Sequence, residues 1–482
     1  MTGARERHRF VEMLGMIAGV LCLAGCVSEQ LSESAPPNII LCMADDLGWG
    51  DVGSNGHPLI KTPHLDEMSR NGLDFKRFYS GAPLCSPTRG SSLTGRHPFR
   101  YGVYSANVGH MPVEEITLAE LLSSHRYKTG HFGKWHLGTL TTELEESNRG
   151  GPRGKEHFSP PWLNGFDICF STEAKVPTWD PMVMPAANIR GVDPTKAGQP
   201  YGTYYWTGPG ERVSENLDGD DSRIIMDRAL GFVEDAAKAQ NPFFAVIWFH
   251  APHAPVVAGP EYLAKYPGLS EEEQHYYGCI TAMDREIGRL RSALRKLGVA
   301  QNTMLWFCSD NGPEGDGKSG RSLGSTGPFR GRKRSLLEGG VRVPAFLEWP
   351  AVVTAHRIVE TPCSTSDYFP TILDLLDHDI ASHPHVLDGL SLVPLIQGKM
   401  DSRPKPIAFQ SADQLSLVEN RFKLYSSDKG ASWVLYDLIE DPGEIRNIAS
   451  ERPDVLREMK GQLESWLESC QSSLRGNDYA DR

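Results

Sequence analysis

The sequence lacks an excess of positive charge, an internal repeat and a composition typical of disorder. Its 49 Lys and Arg residues against 61 Asp and Glu residues give a net charge of −12, which argues against a nucleic-acid partner. Hydrophobic residues make up 39% and charged residues 23%, which is ordinary for a soluble globular protein. The length of 482 residues fits one large domain plus a smaller one.

Positive charge is concentrated in one place, so an anionic ligand is compatible with the overall acidity. The residues concerned are Lys318, Arg321, Arg330, Arg332, Lys333, Arg334 and Arg342. A basic run of this kind is usually a solvated face. Here the apolar stretch RVPAFLEWP follows it, which predicts that the segment is anchored against the core.

Cysteine spacing shows no disulfide framework, although nine cysteines are present. Cys42 and Cys308 lie inside apolar runs and are predicted to be small buried hydrophobic residues. The pairing of Cys169, Cys279, Cys363 and Cys470 is left open by the sequence.

The N-terminal apolar segment, residues 13–25, is too short to span a membrane as a helix. It follows Arg5, Arg7 and Arg9 and ends in Leu23-Ala24-Gly25-Cys26, which looks like a bacterial lipobox. The resemblance implies a lipoprotein signal peptide at 1–25, lipidation of Cys26 and a polar tether at 26–37. We therefore expect an exported periplasmic or cell-surface lipoprotein, held to the membrane by its lipid anchor only. The alternative is a plain secretory signal with a chance cysteine.

Three runs predict buried parallel strands that end in polar or titratable residues, namely residues 38–44, 243–253 and 303–312. Helical patterns at 116–127, 221–239 and 273–298 alternate with them, and Gly298 is a predicted C-cap. This alternation predicts an α/β sandwich with a large, mostly parallel central sheet flanked by helices.

The predicted domain boundaries lie where this alternation of strands and helices changes. Residues 38–398 are predicted to form the large domain, within which 150–219, rich in Pro, Gly and aromatic residues, form a surface excursion. Residues 399–482 are predicted to form a smaller subdomain with an antiparallel sheet and a terminal helix at 453–469.

Two acidic pairs follow predicted parallel strands, and ligands bind at that edge of such sheets. Asp45 and Asp46 follow the first strand, and Asp310 and Asn311 follow another. Adjacent carboxylates stay ionised most easily beside a cation, and hard divalent metals prefer oxygen ligands. A single pair of this kind is more often a cap or a turn, but two pairs together predict a metal site.

Further candidates are ambiguous when each is taken alone. Lys134 and His136 in HFGKWHLG also fit a surface lysine and a packed histidine. His253 in HAPHAP fits a ligand contact or a structural role equally well, and Lys333 fits a solvated basic face.

The order of motifs resolves this ambiguity. Cys85-Ser86-Pro87-Thr88-Arg89 matches the C-x-P-x-R signature of type I sulfatases, a family of the alkaline phosphatase superfamily. NIILCMADDLGWGD, GRHPFRYGV, GKWHLG, HAPHAP, SDNGPE, RGRKRSLLEGGVRVP and LYDLIEDPGE also resemble blocks of this family, in the same order. The resemblance extends along nearly the whole mature chain and is weak only near residues 150–219. It implies an alkaline-phosphatase-like fold and the hydrolysis of sulfate esters.

The resemblance also implies a cofactor and a role for each candidate residue. Cys85 would be oxidised to Cα-formylglycine (3-oxoalanine) by a formylglycine-generating or anaerobic maturation enzyme, and its hydrate would attack sulfur. Calcium, with magnesium as the less favoured ion, would be held by Asp45, Asp46, Asp310, Asn311 and residue 85. Arg89 would hold the hydrate, Lys134 and Lys333 would contact sulfate, and His136 would accept a proton. His253 would bind sulfate or protonate the leaving alcohol, whereas His250 is expected to be structural. The Gly- and Ser-rich run after Arg89 is expected to start a helix whose N-terminus faces the sulfate.

The expected substrate is a sulfated glycan containing galactose or N-acetylgalactosamine, because the chain resembles bacterial glycan sulfatases of the arylsulfatase A and N-acetylgalactosamine-sulfatase type. Aromatic residues of the excursion suit sugar stacking or simply pack the excursion against the core; they are Trp162, Trp179, Tyr201, Tyr204, Tyr205 and Trp206. Two alternatives are a phosphonate or phosphate ester hydrolase of the same superfamily and a non-catalytic lipoprotein that binds sulfated glycans.

Overall fold

The structure is a computed structural model that describes residues 36–187, 189, 192–315 and 323–479. The predicted signal peptide at 1–25, most of the tether, and Lys318 and Arg321 of the basic cluster lie outside these residues. Residues Asn38–Arg482 form one compact unit, distinct from Met1–Pro37. Within the described ranges, no helix has both the length and the apolar character needed to cross a bilayer.

The strands of the described residues form one large sheet and two smaller ones. In chain order they are β1 (Asn38–Ala44), β2 (Leu73–Phe75), β3 (Phe78–Tyr79), β4 (Lys128–Lys134), β5 (Ile168–Thr172), β6 (Trp206–Gly208), β7 (Glu211–Arg212), β8 (Phe243–Trp248), β9 (Thr303–Ser309), β10 (Arg342–Val343), β11 (Ala345–Glu348), β12 (Arg357–Val359), β13 (Cys363–Ser364), β14 (Ile407–Ser411), β15 (Gln414–Val418), β16 (Phe422–Ser426) and β17 (Val434–Asp437). The large sheet has the order β12-β2-β11-β9-β1-β8-β4-β5-β6-β7.

The α-helices pack around these sheets. They are α1 (Pro63–Asn71), α2 (Cys85–Thr94), α3 (Leu118–Ser124), α4 (Asp221–Lys238), α5 (Pro260–Leu263), α6 (Glu271–Lys296), α7 (Glu338–Val341), α8 (Tyr368–Leu375), α9 (Val393–Ile396) and α10 (Pro453–Leu474). The predicted helix at 116–127 is shorter than its pattern, because Thr117 caps its N-terminus through a capping box with Glu120. Gly298 follows α6 at φ +74°, as expected beyond a helix C-terminus.

Five adjacent parallel strands, β9-β1-β8-β4-β5, form the centre of the large sheet. Successive side chains of β1 point to opposite faces: Ile39 and Leu41 lie in one hydrophobic core, and Ile40 and Cys42 in the other. Burial on both faces explains why these strands are continuous apolar runs. The predicted α/β sandwich is confirmed, and the carboxyl ends of the five parallel strands share one edge.

The segment 150–219 is predicted from its composition to be a surface excursion, but part of it belongs to the large sheet. It contributes β5, β6 and β7 to the large sheet. Tyr205 stacks on Phe170 of β5 with ring centroids 4.0 Å apart, and its hydroxyl donates to Asp221. Trp206 donates through Nε1 to Glu146 over 2.8 Å. These two buried aromatic residues therefore pack the segment down and are unavailable for sugar stacking, whereas the other four candidates are half-buried.

The C-terminal part has the predicted antiparallel sheet and terminal helix. Strands β14–β17 pair consecutively, and α10 packs on this sheet through Met459 and Leu463. The boundary at residues 398 and 399 remains a prediction, since Asn38–Arg482 is one compact unit.

A buried lysine links this sheet to the large domain. Lys423 of β16 is fully buried, and its Nζ lies 2.9 Å from a carboxylate oxygen of both Glu338 and Glu444. We expect Lys423→Met to lower the free energy of unfolding by about 3–5 kcal/mol, because two carboxylates lose their buried counter-charge. Urea unfolding followed by circular dichroism measures this. Lys429→Met, which changes a lysine with a 73% exposed side chain, is the control. A decrease in the free energy of unfolding of less than about 1 kcal/mol for Lys423→Met would contradict a stabilising role for its two ion pairs.

Candidate active site

The site lies at the carboxyl edge of the five parallel strands. Asp45 and Asp46 follow β1, Asp310 and Asn311 follow β9, and Lys134 ends β4. The registers place Ala44 beside Ser309 and Gly133 beside Trp248, so these strands end at the same level. The sequence-predicted acidic pairs are therefore neighbours in space, 264 residues apart along the chain, and the Asp46 amide donates to Asp310 Oδ1 over 3.0 Å.

Cys85 is the first residue of α2, and all ten residues of this helix are buried. The helix thus begins five positions earlier than expected, at Cys85 rather than in the Gly- and Ser-rich run. That run forms the body of the helix because its hydroxyls bond to the backbone of the preceding turn: Ser91 Oγ donates to Thr88 O and Ser92 Oγ to Arg89 O. Cys85 therefore lies at the positive end of the helix dipole.

The Cys85 thiol is not activated in its unmodified form. Burial raises its pKa above the ordinary value, as do Asp45 and Asp310, although Lys134 and Lys333 oppose this. A neutral buried thiol is a poor nucleophile.

Three buried cations match three buried carboxylates around Cys85. Lys134 Nζ lies 2.6 Å from Asp45, Lys333 Nζ lies 2.6 Å from Asp46, and Arg89 donates to Asp310 over 2.7 Å. Both lysines are buried rather than exposed, so the surface interpretation of each is wrong.

The carboxylates respond differently to this surrounding charge. Burial alone would raise the pKa of Asp45, but Lys134 and further cations hold it well below its usual range. Burial and the charge of Asp45 raise the pKa of Asp310 to about 7. The raised pKa of Asp310 means that additional positive charge at this position would favour its ionised form.

Unpartnered oxygens test whether a metal ion fits here. Among the described residues, Asp45 Oδ1 and Asn311 Oδ1 are buried without a hydrogen-bond partner. Ligand atoms of Asp45, Cys85 and Asp310 lie within 4.8 Å of one another, as do those of Asp45, Asp46 and His253. A set dominated by carboxylate and amide oxygens fits a hard divalent cation such as calcium or magnesium.

Two histidines flank the cluster in different hydrogen-bonded states. His136 has a left-handed backbone, φ +59°, and its Nε2 lies 2.9 Å from Asn107 Oδ1. Because that oxygen only accepts, the proton lies on Nε2, and Nδ1, which has no partner among the described residues, is a free base. His253 Nδ1 donates to Ala254 O, and its Nε2 lies 3.6 Å from Asp46. Burial lowers the pKa of both rings, that of His253 to about 4.

His250 is structural, as expected. Its ring is fully buried between Asp221, 2.8 Å from Nδ1, and Thr172, 2.8 Å from Nε2.

The basic cluster is expected from the sequence to offer an anion-binding surface, but several of its side chains already have partners inside the protein. Arg330 donates to the Glu444 carbonyl, Arg332 to the Glu314 and Gly324 carbonyls, and Arg342 stacks on Phe329 at 4.2 Å. These guanidinium groups are used inside the protein. Of the described members of the cluster, only Lys333 lies among the three acids.

Sequence reasoning missed two residues near the site. Asn107 orients His136, but it lies in a loop without any motif. Lys175 follows β5 at the same sheet edge, and the sequence would have indicated it only if ICFST had been recognised as a strand.

A buried helix N-terminus, matched ionic groups and a hard-cation donor set meet at the carboxyl edge of an α/β sheet. This combination defines an enzyme whose substrate is an anionic ester. Residues 37–378 match the sulfatase family model, and residues 327–472 match the model described as N-sulphoglucosamine sulphohydrolase, C-terminal. The chain belongs to the sulfatase family and is a sulfuric ester hydrolase.

Individual relatives agree with this assignment. The chain is 34% identical to the N-acetylgalactosamine-6-sulfatase of Canis lupus familiaris, over 80% of this chain and 70% of that protein. It is 32% identical to the arylsulfatase A of Bos taurus, over 91% of this chain and 89% of that protein. The crystal structure of Ps i-CgsB in complex with k-i-k-neocarrahexaose superposes with a TM-score of 0.77 at 27% identity, covering 92% of this chain and 97% of that one.

Proposed function

We propose that the protein removes sulfate from a glycan containing galactose or N-acetylgalactosamine, using a formylglycine formed from Cys85. The observation that carries this proposal is the position of Cys85: it is buried at a helix N-terminus, among three cations and three carboxylates. The sugar class is supported by similarity to an N-acetylgalactosamine-6-sulfatase and to a structure holding k-i-k-neocarrahexaose.

The unmodified Cys85 thiol is a weak nucleophile because burial raises its pKa, so we assign the attack to the hydrated aldehyde that the maturation enzyme forms from it. Hydration of the aldehyde gives a geminal diol. One hydroxyl oxygen attacks sulfur, the bond from sulfur to the sugar oxygen breaks, and the sugar leaves as an alcohol. The second hydroxyl then loses its proton, the aldehyde forms again, and sulfate leaves. Covalent catalysis thus divides one difficult displacement into two steps.

Surrounding residues supply charge and move protons. Lys134 and Lys333 contact the sulfate oxygens, where negative charge develops. Arg89 holds the diol through charge-assisted hydrogen bonds. His136 Nδ1 is the base that accepts the diol proton when sulfate leaves, since Asn107 holds the other ring nitrogen. His253 binds the sulfate or gives a proton to the departing sugar oxygen; the second role requires that the negative charge of the bound substrate raise the pKa of the ring, which burial lowers to about 4.

Asp45, Asp46, Asp310 and Asn311, together with residue 85, would hold a divalent ion, for which calcium is preferred. When bound, this ion would supply positive charge for the sulfate oxygens and would lower the pKa of the diol.

A panel of substrates tests this function. Calcium-loaded protein, produced with a maturation enzyme, is given monosulfated galactose and N-acetylgalactosamine derivatives, an aryl sulfate, an aryl phosphate and an aryl phosphonate. We expect sulfate release from at least one of the sugars and a higher kcat/KM for the aryl sulfate than for its phosphorus analogues. A large preference for phosphate or phosphonate would favour the alternative hydrolase. Binding of the sugars without sulfate release would favour a glycan-binding lipoprotein.

We also propose that the protein is exported and anchored through a lipidated Cys26, because residues 23–26 form a lipobox-like sequence. Metabolic labelling with a fatty acid should mark the wild-type protein but not Cys26→Ser. Equal labelling of both would contradict lipidation at this cysteine.

A further inference from the structure

Each of the five central parallel strands brings functional groups to the site edge, including β5, the last of them. The strands β9, β1, β8 and β4 are followed by or end in residues already assigned to the site. The chain after β5 carries Lys175, which is half-buried and which the mechanism above does not use.

Backbone hydrogen bonds fix the position of Lys175 between the two histidine loops. On one side the amide of His136 donates to the Glu173 carbonyl over 2.9 Å. On the other side Thr178 donates from its amide to Pro255 O over 3.2 Å, and from its hydroxyl to Val257 O over 2.7 Å. The short stretch between these anchors spans from the His136 loop to the His253 loop, and Lys175 lies within it.

Lys175 differs from the other cations of the site in its pairing. Among the described residues it has no hydrogen-bond or ion-pair partner, whereas Lys134, Lys333 and Arg89 each pair with one of the three site carboxylates. Burial lowers the pKa of its ammonium group, and so do the charges of Lys134 and Lys333, whereas the charges of Asp45 and Asp46 oppose this change. The ammonium group is therefore close enough to the site to interact with its charges.

A half-buried ammonium group that pairs with none of the three site carboxylates is available to an external anion. We infer that Lys175 binds a second anionic substituent of the substrate, a sulfate or carboxylate group other than the sulfate that is hydrolysed, and so selects glycans of higher charge. The inference deepens the proposed function and rests on the substrate being a sulfated glycan. Lysine suits this role because its flexible stem and point charge tolerate different positions of the anion.

Equilibrium binding tests the inference without turnover. In a Cys85→Ala background, calorimetry compares a monosulfated sugar with the same sugar bearing a second sulfate, with and without Lys175→Met. We expect the preference for the disulfated sugar to fall about tenfold or more in Lys175→Met. Lys175→Arg should retain most of the preference, and Lys399→Met, which removes a charge from an exposed lysine outside the site, should leave it unchanged.

Kinetics on matured enzyme provide the second measurement. The ratio of kcat/KM for the disulfated sugar to that for the monosulfated sugar should fall in Lys175→Met. An equal loss on both sugars would mean that Lys175 contacts only the reacting sulfate, and an unchanged ratio would mean that it contacts neither; both results overturn the inference. Absence of sulfate release by the wild type would contradict the proposed function, but the binding comparison would still decide the role of Lys175.

Discussion

Replacing Cys85 by serine is expected to lower the steady-state turnover number kcat by about 10⁴-fold or more. A serine hydroxyl at the same helix N-terminus can attack sulfur once, with release of one equivalent of sugar alcohol. The resulting serine sulfate has no second hydroxyl on the same carbon, so the aldehyde cannot form and sulfate cannot be expelled. Intact-mass measurement after incubation with substrate should therefore show a stable gain of one SO₃ group.

Cys470→Ala provides the control, because it removes another buried cysteine that lies in α10, away from the site. It should keep close to wild-type turnover. Wild-type turnover by Cys85→Ser, without a trapped sulfate, would contradict the two-step role of residue 85.

Asp45→Asn is the second change with a large expected effect. It removes one negative charge from the donor set and weakens the pairing with Lys134, which lies 2.6 Å away. We expect kcat/KM to fall by about 10²–10³-fold and the affinity for calcium to fall with it. Calorimetric titration of metal-free protein with calcium measures the second effect independently of turnover.

The matched control for this change is Asp413→Asn, which alters an aspartate with a 66% exposed side chain. It should bind calcium like the wild type. Thermal unfolding of the metal-free forms shows whether Asp45→Asn remains folded. Calcium affinity equal to that of the wild type in folded Asp45→Asn would contradict the assignment of Asp45 as a ligand.

The sequence predicts the centre of this fold well because that centre is buried on both sides. Residues 38–44 form a continuous apolar run with the bounds of β1, and β9 (Thr303–Ser309) is the apolar part of the run predicted at 303–312. Because neighbouring parallel strands have their carboxyl ends at the same edge of a sheet, the residues that follow them lie close together. The proximity of Asp45 and Asp310 could therefore be predicted from the sequence.

Other features depend on contacts that no local pattern reveals. The strand β5 lies in a segment dominated by Pro, Gly and aromatic residues, and its burial depends on stacking between Phe170 and the distant Tyr205. The roles of Arg330 and Arg342 are set by partners far along the chain, the Glu444 carbonyl and the Phe329 ring. A basic run therefore looked like an anion-binding surface although most of its described charge is satisfied internally.

The start of α2 was missed for a related reason. Hydroxyl-rich sequences favour turns and caps, so nothing local indicates that the Ser-rich run forms the body of a helix rather than its start. In the structure the hydroxyls of Ser91 and Ser92 bond to carbonyls of the same helix, and this satisfies them in a fully buried environment. Cys85 consequently gains the helix N-terminus.

Mass spectrometry of the peptide containing residue 85, from fully active protein, tests the central claim most directly. The predicted result is a peptide that has lost the thiol and carries an aldehyde or its hydrate, in proportion to the specific activity of each preparation. Unmodified cysteine as the sole form of residue 85 in a fully active preparation would contradict it.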